Sequence, residues 1–445
     1  MYNEVDEYRP PLSYETLAAI GGSLQHLLVF YESCFCDCFT VVQVFDACPQ
    51  LISLELDAAR LWTVVPNKTY TTLTSLSLYG QARPPTNHVF EQMLSRLPSL
   101  EELKIFPLFN TNVLPVIQNY CPKLRSLVVD IWWNGRLVFK LDPNVKGLQQ
   151  FYFSTAKKNR FDVKCDYRDI VALMDRNKQS LRHVVMDVST SSIIGKKITD
   201  SNIRLEALTV FYYTLMKKEH VDLGVWIMKH APNLKMISLL LSPNANQTPM
   251  NSTKLYNVLS SYDHLESVEL HIPLNMEESD QVTRFIKRQH EMALRNRCSL
   301  QHLTMGIFPG ITLPTLLLLA SITTLKSLSI NFITEDDTSN MMATLLEAIG
   351  KGLKSLEDFS LYGLSLVPKD ILFKFKTIQN LQSLALLGGT FEPSGVLSLA
   401  FCSKLKNLRL ESVVAVDTGI LNILKEHIEK VDTSLIPAPE ALLIQ

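Results

Sequence analysis

The densest group of reactive side chains in the chain is Cys34-x-Cys36-x-Cys38. In an extended segment alternate residues share a side, so the three thiols would face one way, and His26 or Cys48 could complete a tetrahedral zinc shell. Zinc sites normally use C-x-x-C spacing, however, and free cysteine is a common buried apolar residue, so the triplet reads as core packing. His290-Glu291-Met292-Ala293-Leu294 lacks the second histidine of a zincin helix, and G-x-x-x-x-G-K-[ST], G-x-G-x-x-G and G-x-S-x-G are all missing. The sequence therefore predicts no catalytic residue, no cofactor and no metal: the chain reads as non-enzymatic.

What recurs instead is a spacing. The pattern L-x-x-L-x-L begins at Leu24, Leu51, Leu73, Leu100, Leu124, Leu148, Leu181, Leu205, Leu234, Leu265, Leu300, Leu325, Leu356, Leu381 and Leu405, with a weaker copy at Ile428. Fifteen intervals cover the 404 residues from Leu24 to Ile428, a mean of about 27 that lies within the leucine-rich-repeat range. Leucine accounts for 70 of the 445 residues. With period 2 along a strand, positions 4 and 6 of each copy point into a stacked aliphatic core, while positions 3, 5 and 7 form a wall on the other side.

That wall carries the candidate binding chemistry. It collects eight acids, Glu55, Asp57, Glu102, Asp130, Asp187, Glu269, Asp358 and Glu411, against two bases, Lys104 and Arg409, on a protein of net charge -1. Phe30, Tyr79, Phe106, Tyr152, Phe211 and Tyr362 stand among them, and Trp132-Trp133 follow the fifth copy. Exposed aromatics beside carboxylates are what a protein-binding hot spot needs. The partner-binding residues are expected to be Glu55, Asp57, Tyr79, Glu102, Phe106, Asp130, Tyr152 and Asp187, and the partner a protein presenting a basic segment. His26, His183, His271 and His302 also fall on the wall, but on different repeats, and read as solvated side chains.

Helices must connect such strands, because parallel neighbours need a crossover. Thr86 to Leu97, Asp166 to Lys178, Lys218 to His230, Asp337 to Ile349 and Val416 to His427 show the apolar stripe of a helix, many opening on Thr or Asp as a cap. The long interval before Leu300 contains NMEESDQVTRFIKRQHEMALRNRCS, a charged amphipathic helix expected to exceed its neighbours. A single repeat cannot bury both its strand and its helix, so neighbours cover it. The predicted fold is α/β: a leucine-rich-repeat solenoid of about sixteen repeats, with a curved parallel sheet inside and helices outside. One domain is expected over 1–445, divided into a cap over 1–23, repeats over 24–433 and a tail over 434–445.

Composition narrows the setting. Lys+Arg number 43 against 44 Asp+Glu, so the sequence-wide basic excess of a nucleic-acid or anionic-membrane binder is missing. Met305 to Leu325 carries no charge, but Pro309, Gly310 and Pro314 and the repeat phase split it into strand end, loop and helix rather than a membrane span. The acidic N-terminus does not resemble a signal peptide, and eight cysteines are too sparse for a disulfide scaffold. A cytoplasmic or nuclear location is expected, with the N-x-S/T triplets at Asn67, Asn246 and Asn251 as chance matches.

Several strands are preceded by one signature: Cys48-Pro49-Gln50-Leu51, Cys121-Pro122-Lys123-Leu124, Leu97-Pro98-Ser99-Leu100, Ala231-Pro232-Asn233-Leu234 and Cys402-Ser403-Lys404-Leu405. It resembles the cysteine-containing repeats of F-box/leucine-rich-repeat proteins. That resemblance implies the substrate-recognition part of an F-box-type ubiquitin ligase. The family's N-terminal F-box has no counterpart in RPPLSYETLAAIGGSL, which looks like the helix of a first repeat, so the ligase adaptor is expected to bind only if an F-box is supplied elsewhere. A free-standing scaffold or inhibitor is the alternative. A GTPase regulator fits less well, because the ninth position of the unit holds Ala59, Gln81, Leu108, Trp132, Ala156 and Ser189 rather than Asn or Cys.

Overall fold

The computed structural model describes residues 14–30, 41–57, 67–79, 87–106, 111–129, 140–154, 164–188, 192–194, 202–215, 218–241, 253–271, 276–307, 311–332, 339–363, 366–367, 369–388, 390–412 and 416–435. The chain divides into two compact units, Met1–Pro232 and Asn233–Gln445.

Among the described residues the first unit contains eight repeat strands: His26–Phe30, Ser53–Asp57, Ser75–Tyr79, Glu102–Phe106, Ser126–Val129, Gln150–Ser154, His183–Asp187 and Val210–Leu215. Each pairs in parallel with the next, in sequence order. The second unit repeats the scheme with Met236–Leu241, Ser267–His271, His302–Ile307, Ser327–Phe332, Asp358–Tyr362, Ser383–Leu387, Asn407–Ser412 and Lys430–Leu435. The register keeps every copy in phase: Leu54 faces Leu76, which faces Leu103, and Leu328 faces Phe359, which faces Leu384. Those side chains are all buried. The fold is thus a leucine-rich-repeat α/β architecture of about sixteen repeats, the weak copy at Ile428 included.

The helices fall where the apolar stripes place them. Asp166 caps Tyr167–Arg176 by accepting from the Arg168 N–H at 2.9 Å, and Asp417 caps Thr418–His427 by accepting from Gly419 at 2.7 Å. The charged insertion forms Met276–Leu294, at 19 residues longer than any other described helix. Met305 to Leu325 splits between the strand His302–Ile307 and the helix Leu313–Leu319, and no described helix is long and apolar enough to cross a membrane.

The Cys-Pro-x-Leu signature has a mechanical role. Cys121 closes Leu114–Tyr120 by donating its N–H to the Ile117 carbonyl at 2.9 Å, and its own carbonyl accepts from Leu124 at 3.1 Å. This is a β-turn with proline at its second position, where the ring presets φ. Cys48–Leu51 and Leu97–Leu100 repeat the bond at 3.3 Å each, and Cys402–Leu405 does so at 3.0 Å with Ser403 in place of proline. The cysteine is chosen as a small apolar group for a tight place. Burial pushes the Cys121 thiol up to about 12, far from thiolate reactivity.

One repeat starts later than its sequence pattern implies. The ladder pairs Val210 with His183 and Phe211 with Val184, so the eighth copy begins at Leu208, not Leu205. Leu205 occupies the cysteine's place in the turn, its carbonyl accepting from Leu208 at 3.2 Å. The string L-x-x-L-x-V satisfies the pattern three residues early, and an odd shift exchanges the two faces of a strand. Phe211, expected on the wall, is therefore in the core, its ring 5.3 Å from that of Tyr213. Tyr212 takes the wall position instead.

Candidate functional site

Right-handed crossovers put the connecting helices on one side of the strands, leaving the third, fifth and seventh positions on the other. In the first unit the fifth positions form the row Leu28, Glu55, Ser77, Lys104, Val128, Tyr152, Val185 and Tyr212. The seventh positions begin Phe30, Asp57, Tyr79, Phe106. At about 4.8 Å between strands, Glu55, Tyr79 and Glu102 stand on three successive strands, whereas Asp187 lies three strands beyond Glu102.

These residues are not equally open. Glu55, Tyr79, Glu102, Lys104 and Asp187 are half-buried. Asp57 and Phe106 occupy wall register positions, and their side chains lie outside the description. Asp130, Trp132 and Trp133 lie outside the described residues altogether. Tyr152 is at the expected position, but its side chain is only 8% exposed, and Gln150, Ser154 and Val185 around it are also buried. Desolvation, with a smaller contribution from the neighbouring Tyr212 phenol, pushes Tyr152 up to about 12. Loss of solvent also lowers His183 to about 4, helped by Arg182, so this histidine is neutral near pH 7.

The acidic stretch thus lies on the second to fourth strands, and on the sixth and seventh the fifth-position side chains Tyr152 and Val185 are buried. Neither Glu55 nor Glu102 forms an ion pair with a described residue, and Lys104 is the one lysine or arginine among the described wall side chains of this unit. The arrangement can attract a cation and cover apolar side chains. Tyr212 escaped sequence reasoning because its register depended on which leucine opened the repeat.

In the middle of the second unit the fifth positions hold smaller groups. Thr304, Ser329, Ser360 and Ala385 fill successive fifth positions, with His302 and Asp358 exposed at third positions. Asp358 is raised by desolvation and by Glu357, against an opposing pull from His302. Glu269 accepts from the Ser238 hydroxyl at 2.7 Å, and Arg409 pairs with Glu411, so two of this unit's acids are engaged on the wall itself.

The four wall histidines do not converge. His26 and His302 are exposed, His183 is half-buried, and the His271 side chain lies outside the description. Cys34, Cys36 and Cys38 lie outside the described residues, while Cys48 is buried at a helix end. Among the described residues no group of three His, Cys, Asp or Glu side chains is placed to hold a metal ion.

No family model matches the chain, and no curated protein matches it in sequence. Solved structures of leucine-rich-repeat proteins do. An internalin from Listeria monocytogenes is 13% identical, with 82% of this chain and 88% of that one covered at a TM-score of 0.41. A leucine-rich-repeat protein of Leptospira interrogans is 14% identical over 94% and 98% at 0.37. A chain of the yeast Rad7–Elc1 complex is 15% identical over 82% and 78% at 0.39. The fold assignment stands on the strand register and the buried leucine ladder of this chain.

Proposed function

We propose that the chain is a non-enzymatic protein-interaction module whose first unit receives a basic segment of a partner protein. The observation that carries this reading is Glu55 and Glu102 beside Tyr79, neither paired with a described cation, with Lys104 as the one opposing lysine or arginine among the described wall side chains. Carboxylates on a low-dielectric wall steer a cationic ligand and raise its on-rate, while the ring supplies buried area. Asp57, Phe106 and Asp130 extend the same surface in this reading, and Asp187 marks its far end. Nucleic acid and membrane are not partners in it.

The test is capture of a lysine- and arginine-rich peptide by the whole chain. Glu55→Lys with Glu102→Lys should weaken it by about tenfold or more, and rising salt should weaken it further. The thermal midpoint should not move. Preferential capture of acidic peptides, or indifference to the double reversal, would remove the wall of the first unit from consideration.

The Cys-Pro-x-Leu turns favour a more specific role, that of the substrate-recognition part of an F-box-type ubiquitin ligase in the cytoplasm or nucleus. In that role the adaptor is recruited by an F-box supplied elsewhere. Purified adaptor mixed with this chain should therefore elute apart from it, and stoichiometric co-elution would show that the residues before Leu24 had been misread.

A further inference from the structure

The second unit exposes two phenylalanines on the side of its helices away from the core. Phe373 lies in the last turn of the helix Lys369–Lys374 at 42% exposure, and Phe401 ends the 3-10 turn Leu399–Phe401 at 70%. Their neighbours Ile371, Leu372, Phe375 and Leu399 are buried, so the sequence already supplies each helix with its core-facing side chains. Phe401 is also out of character for its place. Four residues before the opening leucine, most other repeats carry a polar or small residue, such as Arg96, Asn177, Ser261, Asn296, Ser321 or Thr377, with Tyr120 and Leu424 among the larger exceptions.

A cation sits between the rings. The Lys376 ammonium lies 4.9 Å from the centroid of Phe373 and 4.9 Å from that of Phe401. It has no carboxylate partner among the described residues, in contrast to Lys374, which pairs with Glu347 at 3.2 Å. The Cys402 thiol beside it is pushed up to about 11 by burial and stays neutral, so it does not balance the charge. Lys404, one turn beyond Phe401, donates to the Asn380 side-chain carbonyl rather than to an acid. The patch therefore combines two apolar anchors with two cations that lack carboxylate partners among the described residues.

We propose that Phe373, Lys376 and Phe401 form a docking site for an acidic amphipathic helix of a partner protein. The rings are no farther apart than twice the 4.9 Å ring-to-ammonium distance, which one to two turns of helix, at about 5.4 Å per turn, bridge with apolar side chains. A carboxylate between those side chains reaches Lys376, where it is shielded from water by both rings. This site is independent of the wall of the first unit and selects the opposite charge.

The experiment uses the full chain and a fluorescent helical peptide of about fifteen residues with leucines at i, i+4 and i+7 and glutamates between them. Matched peptides replace every glutamate by glutamine or by lysine. The glutamate peptide should bind, the glutamine peptide about tenfold more weakly, and Phe401→Ser should weaken the glutamate peptide by a similar factor. Lys376→Glu should lose the glutamate peptide and gain the lysine peptide, a reversal that a structural role for Lys376 would not produce. Unchanged thermal midpoints in both variants establish that the fold survives. Failure of the glutamate peptide to bind, equal binding of the glutamine peptide, or indifference to both substitutions would overturn the proposal. So would a concentration-dependent dimer abolished by Phe401→Ser, which would give the patch to a second copy of the chain.

Discussion

The fifth-position rows of the two units rest on the same kind of parallel ladder, each within its own unit, and differ in what they do with it. Val128, Tyr152, Val185 and Tyr212 form a large-residue row in which Tyr152 and Val185 are buried. Thr304, Ser329, Ser360 and Ala385 form a row of small groups, all half-buried and accessible. The neighbours of each side chain decide the difference. Large groups at about 4.8 Å spacing cover one another, as at Tyr152 and Val185, while a run of small ones leaves the strand surface reachable; Ser77 and Ser238, small but next to the longer Lys104 and Glu269, are buried. A wall position is thus a direction, and only its neighbours determine whether it is also a surface.

The largest effects should come from residues that turn inward. Phe211→Ala should cost about 3–5 kcal/mol in urea unfolding, as for a fully buried aromatic, and Tyr212→Ala distinctly less. Equal costs would break the register that begins the eighth repeat at Leu208. If all repeats form one domain, as their unbroken phase implies, a core truncation in either unit should lower a single unfolding transition. Two separate transitions would make the units independent domains.

Next in size is the comparison of rows itself. Tyr152→Ala should destabilise by about 2–3 kcal/mol, near the value for burying its ring, whereas Ser329→Ala should stay within about 0.5 kcal/mol. A small loss at Tyr152 would mean that the closed row contributes no core after all.

A third-position side chain of the same wall also predicts a pH dependence. His183 is held at about 4 in the fold, below the ordinary histidine value of 6.5, so the unfolded chain binds its proton first as pH falls. Stability should therefore decline from about pH 6.5 to about pH 4 and change little from this source below that. His183→Asn should flatten that part of the curve; an unchanged slope would assign it to other groups.

The smallest effect is expected at the exposed rim of the second unit. Lys235 and Glu266 pair there at 2.8 Å with both side chains well exposed, and Lys235→Ala should cost no more than about 0.5 kcal/mol, less in high salt.

Much of this was legible in the residues. Leucine spacing sets the strand phase because burial on one face of a period-2 element leaves little choice. Glu55, Tyr79 and Glu102 could be placed on the wall from parity alone, and Asp166 and Asp417 announced their helices because a cap is a local bond. Where two leucines three residues apart both satisfied the pattern, at Leu205 and Leu208, local sequence was degenerate, and the hydrogen-bonded ladder to His183 chose between them.

By itself the sequence determined the repeat, its strand and helix order and the sign of the wall's charge, since these depend on contacts within one repeat or on composition. Tertiary structure alone decided that Phe211 is core, that Tyr152 is covered, and that Lys376 rests between two exposed rings. Each of these depends on side chains or strands of neighbouring repeats as well as its own. The physical reason is range: dihedral preference and periodicity act over a few residues, whereas burial and charge balance are summed over every neighbour the stacking brings close.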